Sequence, residues 1–246
     1  MNTRRIASTL LVFLLAGGLL SALTPEEILD RVEENQTFST FRGEGKMVIT
    51  DRFGTRTKTF RFYAKGEEQS LIEFTSIDEA GQKILRTEDE IYLYYPDAEE
   101  LIRLQGAALR ESVAGSDLSY EDLTGGKELK DKYRVSIEGE ETANGRPCYV
   151  LVLEAKVKDV AYPRQKLWVD KELFVGWKAQ YFALSGKVLK EVEVKEIEEI
   201  KGHSIPVHYV FRDMLKRNSS TEFLISGIEV DIPLDERIFS LEELTW

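Results

Sequence analysis

The sequence predicts a mainly β (α+β) fold, an antiparallel sheet of about eleven strands preceded by one helix and interrupted once in the middle. Three observations carry this. From Phe41 onward apolar residues recur with a period of two, turn signals fall at regular short intervals, and one segment between Gly106 and Gly126 breaks the pattern with small residues and glycines. Regular spacing of this kind belongs to a sandwich or a barrel.

The chain opens with a basic start, Arg4–Arg5, and an almost wholly apolar run from Ile6 to Leu20, then the small pair Ser21–Ala22. This is the pattern of a secretory signal peptide cleaved near Ala22. The apolar run, roughly 15 residues, is shorter than the ~20 that span a bilayer. The expected organisation is a signal peptide over 1–22 and a single domain over 23–246, with no Pro/Gly/Ser-rich linker dividing it. No cysteine lies near the cut to accept a lipid anchor, so the exported form is expected to be soluble and periplasmic.

Thr24 is a good N-cap, Pro25 suits the first helical position, and Glu27 completes a capping box. Ile28, Leu29 and Val32 then form one apolar stripe. Strands follow. Met47 and Ile49 share a face with Phe41; Phe60 and Phe62 alternate with Thr59, Arg61 and Tyr63; Ile72 and Phe74 alternate with Leu71 and Glu73. Each reads as an antiparallel strand with one apolar and one wet face. Ile91–Tyr95, Leu101–Leu104 and Tyr133–Ile137 continue the pattern, and Asn144–Gly145 is a strong hairpin signal before Cys148–Leu153. Further strands are expected around Lys166–Asp170, Val175–Phe182, Val188–Ile200, Ile205–Arg212 and Thr221–Val230. Between them, Gly106 to Gly126 reads as a helical or loop insertion, with Ala107, Ala108, Leu109 and Val113 spaced to face the sheet and Ser119 as a cap.

Composition narrows the function. With 33 basic and 44 acidic residues the net charge is −11, which excludes nucleic acid as a partner, since phosphate binding needs basic patches. A hydrophobic fraction of 42% suffices for a core. Cys148 is the single cysteine, so no intramolecular disulfide is available; in its apolar run it reads as a buried thiol.

Motifs in order along the chain resemble the outer-membrane lipoprotein-sorting (LolA/LolB-like) proteins. They are the N-terminal amphipathic helix, the aromatic Tyr92–Leu93–Tyr94–Tyr95–Pro96, and a lid segment with Gly115–Ser116–Asp117 through Asp122–Leu123. Leu167–Trp168–Val169–Asp170, Pro233–Leu234–Asp235 and Phe239–Ser240–Leu241–Glu242–Glu243–Leu244 complete the set. The resemblance implies an incomplete, strongly curved antiparallel β-barrel, closed by the N-terminal helix and a mid-chain helical lid, whose apolar concave face holds acyl chains. It implies a monomeric carrier of lipoprotein or free lipid working between an inner-membrane releasing transporter and an outer-membrane acceptor. A LolA-like domain also serves as an envelope-stress sensor, which is the alternative. The residues alone favour a filled core over a cavity; the resemblance reverses that order.

The search for catalytic chemistry is negative. His203 and His208 are five apart, which does not place both on one strand face, and no acidic residue joins them in a metal pattern. Gly115–Ser116–Asp117 lacks the frame of a nucleophile elbow, and no Gly-rich phosphate loop is present. The chain is read as a non-enzyme without a cofactor. Alternation nominates Met47, Ile49, Phe60, Phe62, Ile72 and Phe74 for the acyl groove, with Tyr92 and Tyr94 added although their face is ambiguous. Leu109, Val113, Gly115, Ser116, Asp117 and Leu123 are nominated for the lid.

Overall fold

Thr24 and Glu27 start the helix as their capping box requires. Thr24 Oγ1 accepts from the Glu27 N–H at 3.2 Å, and Glu27 Oε2 accepts from the Thr24 N–H at 2.8 Å. Two otherwise unpaired donors are thereby satisfied, and α1 (Pro25–Gln36) is set. The computed structural model describes residues 23–66, 68–87, 90–124, 129–158 and 160–245. The predicted leader, with its cleavage near Ala22, and Gly125 and Gly126 at the end of the predicted insertion lie outside the described residues. Ile28 and Leu29 are buried against Tyr133, Val135, Leu151, Leu153 and Val169. The far end of α1 is pinned by Asn35, whose amide donates to the carbonyls of Leu173 (3.0 Å) and Ser204 (3.2 Å) and accepts from the Ser204 N–H at 2.9 Å.

Among the described residues thirteen strands form one antiparallel, curved, open sheet, an incomplete barrel. In chain order they are β1 (Thr40–Asp51), β2 (Gly54–Lys65), β3 (Gln69–Phe74), β4 (Lys83–Thr87), β5 (Glu90–Tyr95), β6 (Glu100–Leu104), β7 (Tyr133–Ala143), β8 (Arg146–Ala155), β9 (Arg164–Asp170), β10 (Gly176–Phe182), β11 (Val188–Ile200), β12 (His203–Asp213) and β13 (Ser220–Val230). The spatial order runs β6-β5-β4-β3-β2-β1-β13-β12-β11-β10-β9-β8-β7, so among the described residues only the β1–β13 pairing joins distant parts of the chain. All other neighbours are hairpins or short connections. The count exceeds the expected eleven, and β4 has no counterpart in the sequence reading. Ile84 faces the inner cluster and Leu85 the outer one, so both faces of β4 are buried and the alternation that marks a half-wet strand vanishes.

The inner face carries α1 and the mid-chain segment. Its main cluster joins Met47, Ile49, Phe60, Ile72, Phe74, Ile84, Leu93 and Leu104 to Val113 and Tyr120 of that segment. On the outer face the C-terminal tail lies across β3–β5, where Phe239 and Leu244 cover Leu71 and Leu85. The wet side expected of β3 is therefore covered.

The mid-chain segment, expected as a helical or loop insertion, is a chain of short helical turns. It is built from 3₁₀ turns over Gly106–Arg110, Val113–Gly115 and Glu121–Thr124. Positive φ at Gly106 (55°), Ala114 (49°) and Gly115 (75°) breaks any continuous right-handed helix. A short helix, α2 (Leu129–Lys132), then leads into β7, and α3 (Leu241–Leu244) ends the tail.

Candidate lipid-binding cavity

Gly45 of β1 lies opposite Phe60 of β2. A Cβ at Gly45 would stand 2.0 Å from the Phe60 ring, so only glycine lets that ring lie flat on the strand. Phe60 in turn packs at 5.3 Å from Phe223 and 6.0 Å from Phe74, measured between ring centroids. Tyr209 and Phe211 of β12 extend the aromatic surface, 6.2 and 6.3 Å from Phe223. Phe60, Tyr209, Phe211 and Phe223, together with Tyr133, Tyr162 and Tyr181, line a cavity of about 540 Å³ between the inner face, the end of α1 and the mid-chain segment. Phe62, Ile72, Val192, Ile225, Leu118 and Leu123 add aliphatic and aromatic wall, and Gln36, Glu44, Ser70, Glu121 and Lys132 supply polar groups.

One polar node stands in the wall. The Asp122 carboxylate accepts from Tyr162 Oη at 2.9 Å, from the Ser119 N–H at 2.7 Å, from Ser119 Oγ at 2.8 Å, and from Lys190 Nζ. Burial, followed by the negative charge of Asp122 and the bond to it, pushes the Tyr162 hydroxyl far above its ordinary range. Burial likewise raises Tyr181 and Tyr209. All three phenols are therefore neutral throughout the physiological range and present uncharged hydroxyls to the cavity.

The mid-chain segment is fastened over this space by a second buried node. Asp117 is 2% exposed and accepts from Ser219 Oγ at 2.7 Å and Thr221 Oγ1 at 3.1 Å, while its own N–H donates to Thr221 Oγ1 at 2.9 Å. Lys216 Nζ donates to the Ser116 carbonyl at 2.7 Å.

Of the residues nominated from sequence, Phe60, Phe62, Ile72 and Leu123 line the cavity. Met47, Ile49 and Phe74 share their face but lie in the packed cluster beside it, with Val113 buried there and Leu109 against its edge. Gly115 makes the turn before Ser116 and Asp117, which form the anchor. Tyr92 and Tyr94 require correction. Both pack on the outer face against the cluster of Leu71, Leu85, Phe239 and Leu244, and neither lines the main cavity. Their strand parity assigns Leu93 to the inner face instead. The largest omissions are Tyr181, Tyr209, Phe211, Phe223 and Ile225. The alternation of Tyr209 with Phe211 and of Phe223 with Ile225 is visible in sequence, and the missing information is which face of those strands is concave. Cys148 is fully buried, and burial raises its thiol above the ordinary value.

Comparison with known proteins fits this geometry. Residues 66–246 match the sequence model of a family described as "Uncharacterized protein". No curated protein matches the chain. A crystal structure of a DUF1329 family protein from Desulfovibrio piger is 26% identical and superposes with a TM-score of 0.82, covering 89% of this chain and 96% of that one. A domain from Vibrio parahaemolyticus described as outer membrane lipoprotein-sorting is 20% identical, with a TM-score of 0.82 over 89% and 97% of the two chains. A LolA superfamily protein from Nitrosomonas europaea is 22% identical, with a TM-score of 0.75 over 90% and 100%. The family match over residues 66–246 takes in well over half of the sequence, and the chain belongs to that family, built on the fold of the LolA superfamily.

Proposed function

We propose that this protein is a non-enzymatic, exported carrier that holds the acyl chains of lipids or lipoproteins in its aromatic cavity and moves them through the periplasm toward the outer membrane. The observation that carries this reading is the cavity of about 540 Å³ walled by Phe60, Phe62, Phe211 and Phe223. Its volume falls within the ~300–1,000 Å³ of ligand sites and is several times the ~150 Å³ that holds benzene in an engineered core. Each methylene moved from water into such a site contributes about 0.8 kcal/mol, and a single acyl chain anchors to a membrane only marginally. A pocket of this kind can therefore compete with a bilayer for a chain and release it again. Apolar walls impose no directional demand, so different chains are accepted. The proposed partners are an inner-membrane releasing transporter and an outer-membrane acceptor.

The test is mass spectrometry of organic extracts from protein purified without detergent from its native host. Acyl lipids or acylated peptides in stoichiometric amounts are expected. Protein that carries no lipid and also fails to take up added fatty acid would overturn the reading.

A further inference from the structure

We propose that one rim of the sheet docks on an anionic phospholipid surface. The inference rests on the carrier reading for its purpose but on separate residues for its evidence.

The strand register places six turns side by side along that rim; the β5–β6 turn carries exposed Asp97 and Glu99 and no large apolar tip, and the other five are the ones that concern the surface. Thr50 pairs with Ser220, Lys190 with Asp213, Phe182 with Arg164, Arg164 with Glu154 and Phe60 with Phe74. The β3–β4, β1–β2, β12–β13, β10–β11 and β8–β9 turns thus follow one another. Each presents a large apolar side chain to solvent: Ile77 (94% exposed), Phe53 (79%), Met214 and Leu215, Leu184 (91%), and Val157. Among the described residues of the opposite rim, the turns β2–β3, β7–β8, β9–β10 and β11–β12 expose no large apolar side chain.

Scattered exposed apolar residues need no explanation, but six of the nine large ones among the described residues stand on the turns of this rim, with only Leu101, Ile137 and Leu241 elsewhere, and that gathering does. These tips stand on separate, successive turns, whereas a protein partner buries a contiguous apolar interface core. Spaced apolar tips suit a soft headgroup layer, which each can enter independently. Charge points the same way. The Arg52 guanidinium stacks over the Phe53 ring, 4.5 Å from its centroid. Lys158 follows Val157, Lys187 closes the Leu184 turn, and Arg217 stands two residues after Leu215. Among the described residues these four cations form no ion pair, whereas the acids beside them are engaged: Asp51 by Arg56 at 2.7 Å, and Asp213 by the Leu215 N–H at 2.9 Å. Free cations beside apolar tips on a chain of net charge −11 are a local exception that matches anionic lipid. The docking turn between β12 and β13 also carries Lys216 and Ser219, which hold the mid-chain segment at Ser116 and Asp117.

Vesicle flotation decides the matter, using protein purified as its native host processes it. Vesicles of phosphatidylcholine alone and of phosphatidylcholine mixed with phosphatidylglycerol are compared, with uptake of a fluorescent fatty acid measured on the same preparation. Binding is expected to the mixed vesicles and to weaken with salt. Phe53→Asp combined with Leu184→Asp is expected to lower it at least tenfold, and Arg52→Gln with Lys187→Gln and Arg217→Gln to remove the preference for phosphatidylglycerol. Fatty-acid uptake stays unchanged in both variants. Protein that takes up fatty acid but floats with neither vesicle, or variants that float like the parent, would overturn the docking proposal and leave the carrier reading standing. Flotation without fatty-acid uptake would do the reverse. Capture of a protein partner through this rim, with no vesicle binding, would also overturn it.

Discussion

Asp117 and Thr221 hold each other. The Asp117 N–H donates to Thr221 Oγ1 at 2.9 Å, and the same hydroxyl lies 3.1 Å from the Asp117 carboxylate that accepts its proton. Asp117 belongs to the mid-chain segment and Thr221 to the inner face of β13, so the segment is fastened to the sheet floor at a point where both residues are buried. Any movement of the segment away from the sheet has to pivot on this anchor or break it.

Asp117→Ala leaves the Ser219 and Thr221 hydroxyls without their acceptor and is expected to cost about 2 kcal/mol. Urea denaturation measures the global loss. Amide hydrogen exchange over residues 106–124 should show faster opening in the variant than in the parent, with the central strands changed only by the global loss. Unchanged exchange in that segment would show that the anchor does not hold it.

Gly45→Ala is expected to destabilise the fold by about 1–3 kcal/mol, the usual cost of overpacking. A Cβ there meets the Phe60 ring at 2.0 Å, and that ring already packs against Phe74 and Phe223, so its relief is into the cavity. Thermal unfolding and fatty-acid uptake should therefore fall together. A stable variant with full uptake would contradict the placement of Phe60.

The β9–β10 turn supplies a pH dependence. Asp170 is fully buried; burial raises its carboxyl, but the Arg146 guanidinium, the Leu173 N–H, the Trp177 indole and the Glu172 N–H outweigh it and hold the group well below the ordinary range. A depressed carboxyl stabilises the fold above the unfolded value of about 4, and that contribution is lost as pH falls from there toward the folded value. Asp170→Asn is expected to cost about 3 kcal/mol at neutral pH, as breaking a buried pair does, and to flatten the acid side of the stability profile. Equal acid sensitivity in parent and variant would refute the role.

Much of the fold is legible in the sequence where one face of an element is wet. The capping box of Thr24 and Glu27, the stripe of Ile28 and Leu29, and the alternation through Met47, Ile49, Phe60 and Phe62 all state their structure locally. Legibility fails where a second layer covers the wet side. Leu85 beneath Phe239 and Leu244 hides β4, and the same tail draws Tyr92 and Tyr94 to the outer face. The cavity was only half visible for another reason. Period two assigns Tyr209 with Phe211 to one face but does not say which face is concave, because curvature is a property of the whole sheet. The single β1–β13 pairing brings Phe223 beside Met47, far apart in the chain. Tyr162 lies in a loop and carries no periodic signal at all.

Phe62→Asp probes the cavity wall. Phe62 is only partly buried and faces the cavity, with one edge contact to Phe41 at 5.5 Å, so the chain is expected to fold. A carboxylate in that wall should weaken uptake by about 2 kcal/mol or more, roughly thirtyfold. Circular dichroism checks the fold and fluorescent fatty-acid titration checks the site. A folded variant with normal uptake would remove Phe62 from it.

The central claim is that the aromatic cavity binds acyl chains through their methylenes. Calorimetric titration with saturated fatty acids of increasing length, repeated with their neutral methyl esters and at raised salt, tests it most directly. The account predicts affinity that climbs by up to about 0.8 kcal/mol per added methylene until the cavity is filled, with little change on neutralising the head group or adding salt. Affinity that ignores chain length and follows head-group charge would contradict it.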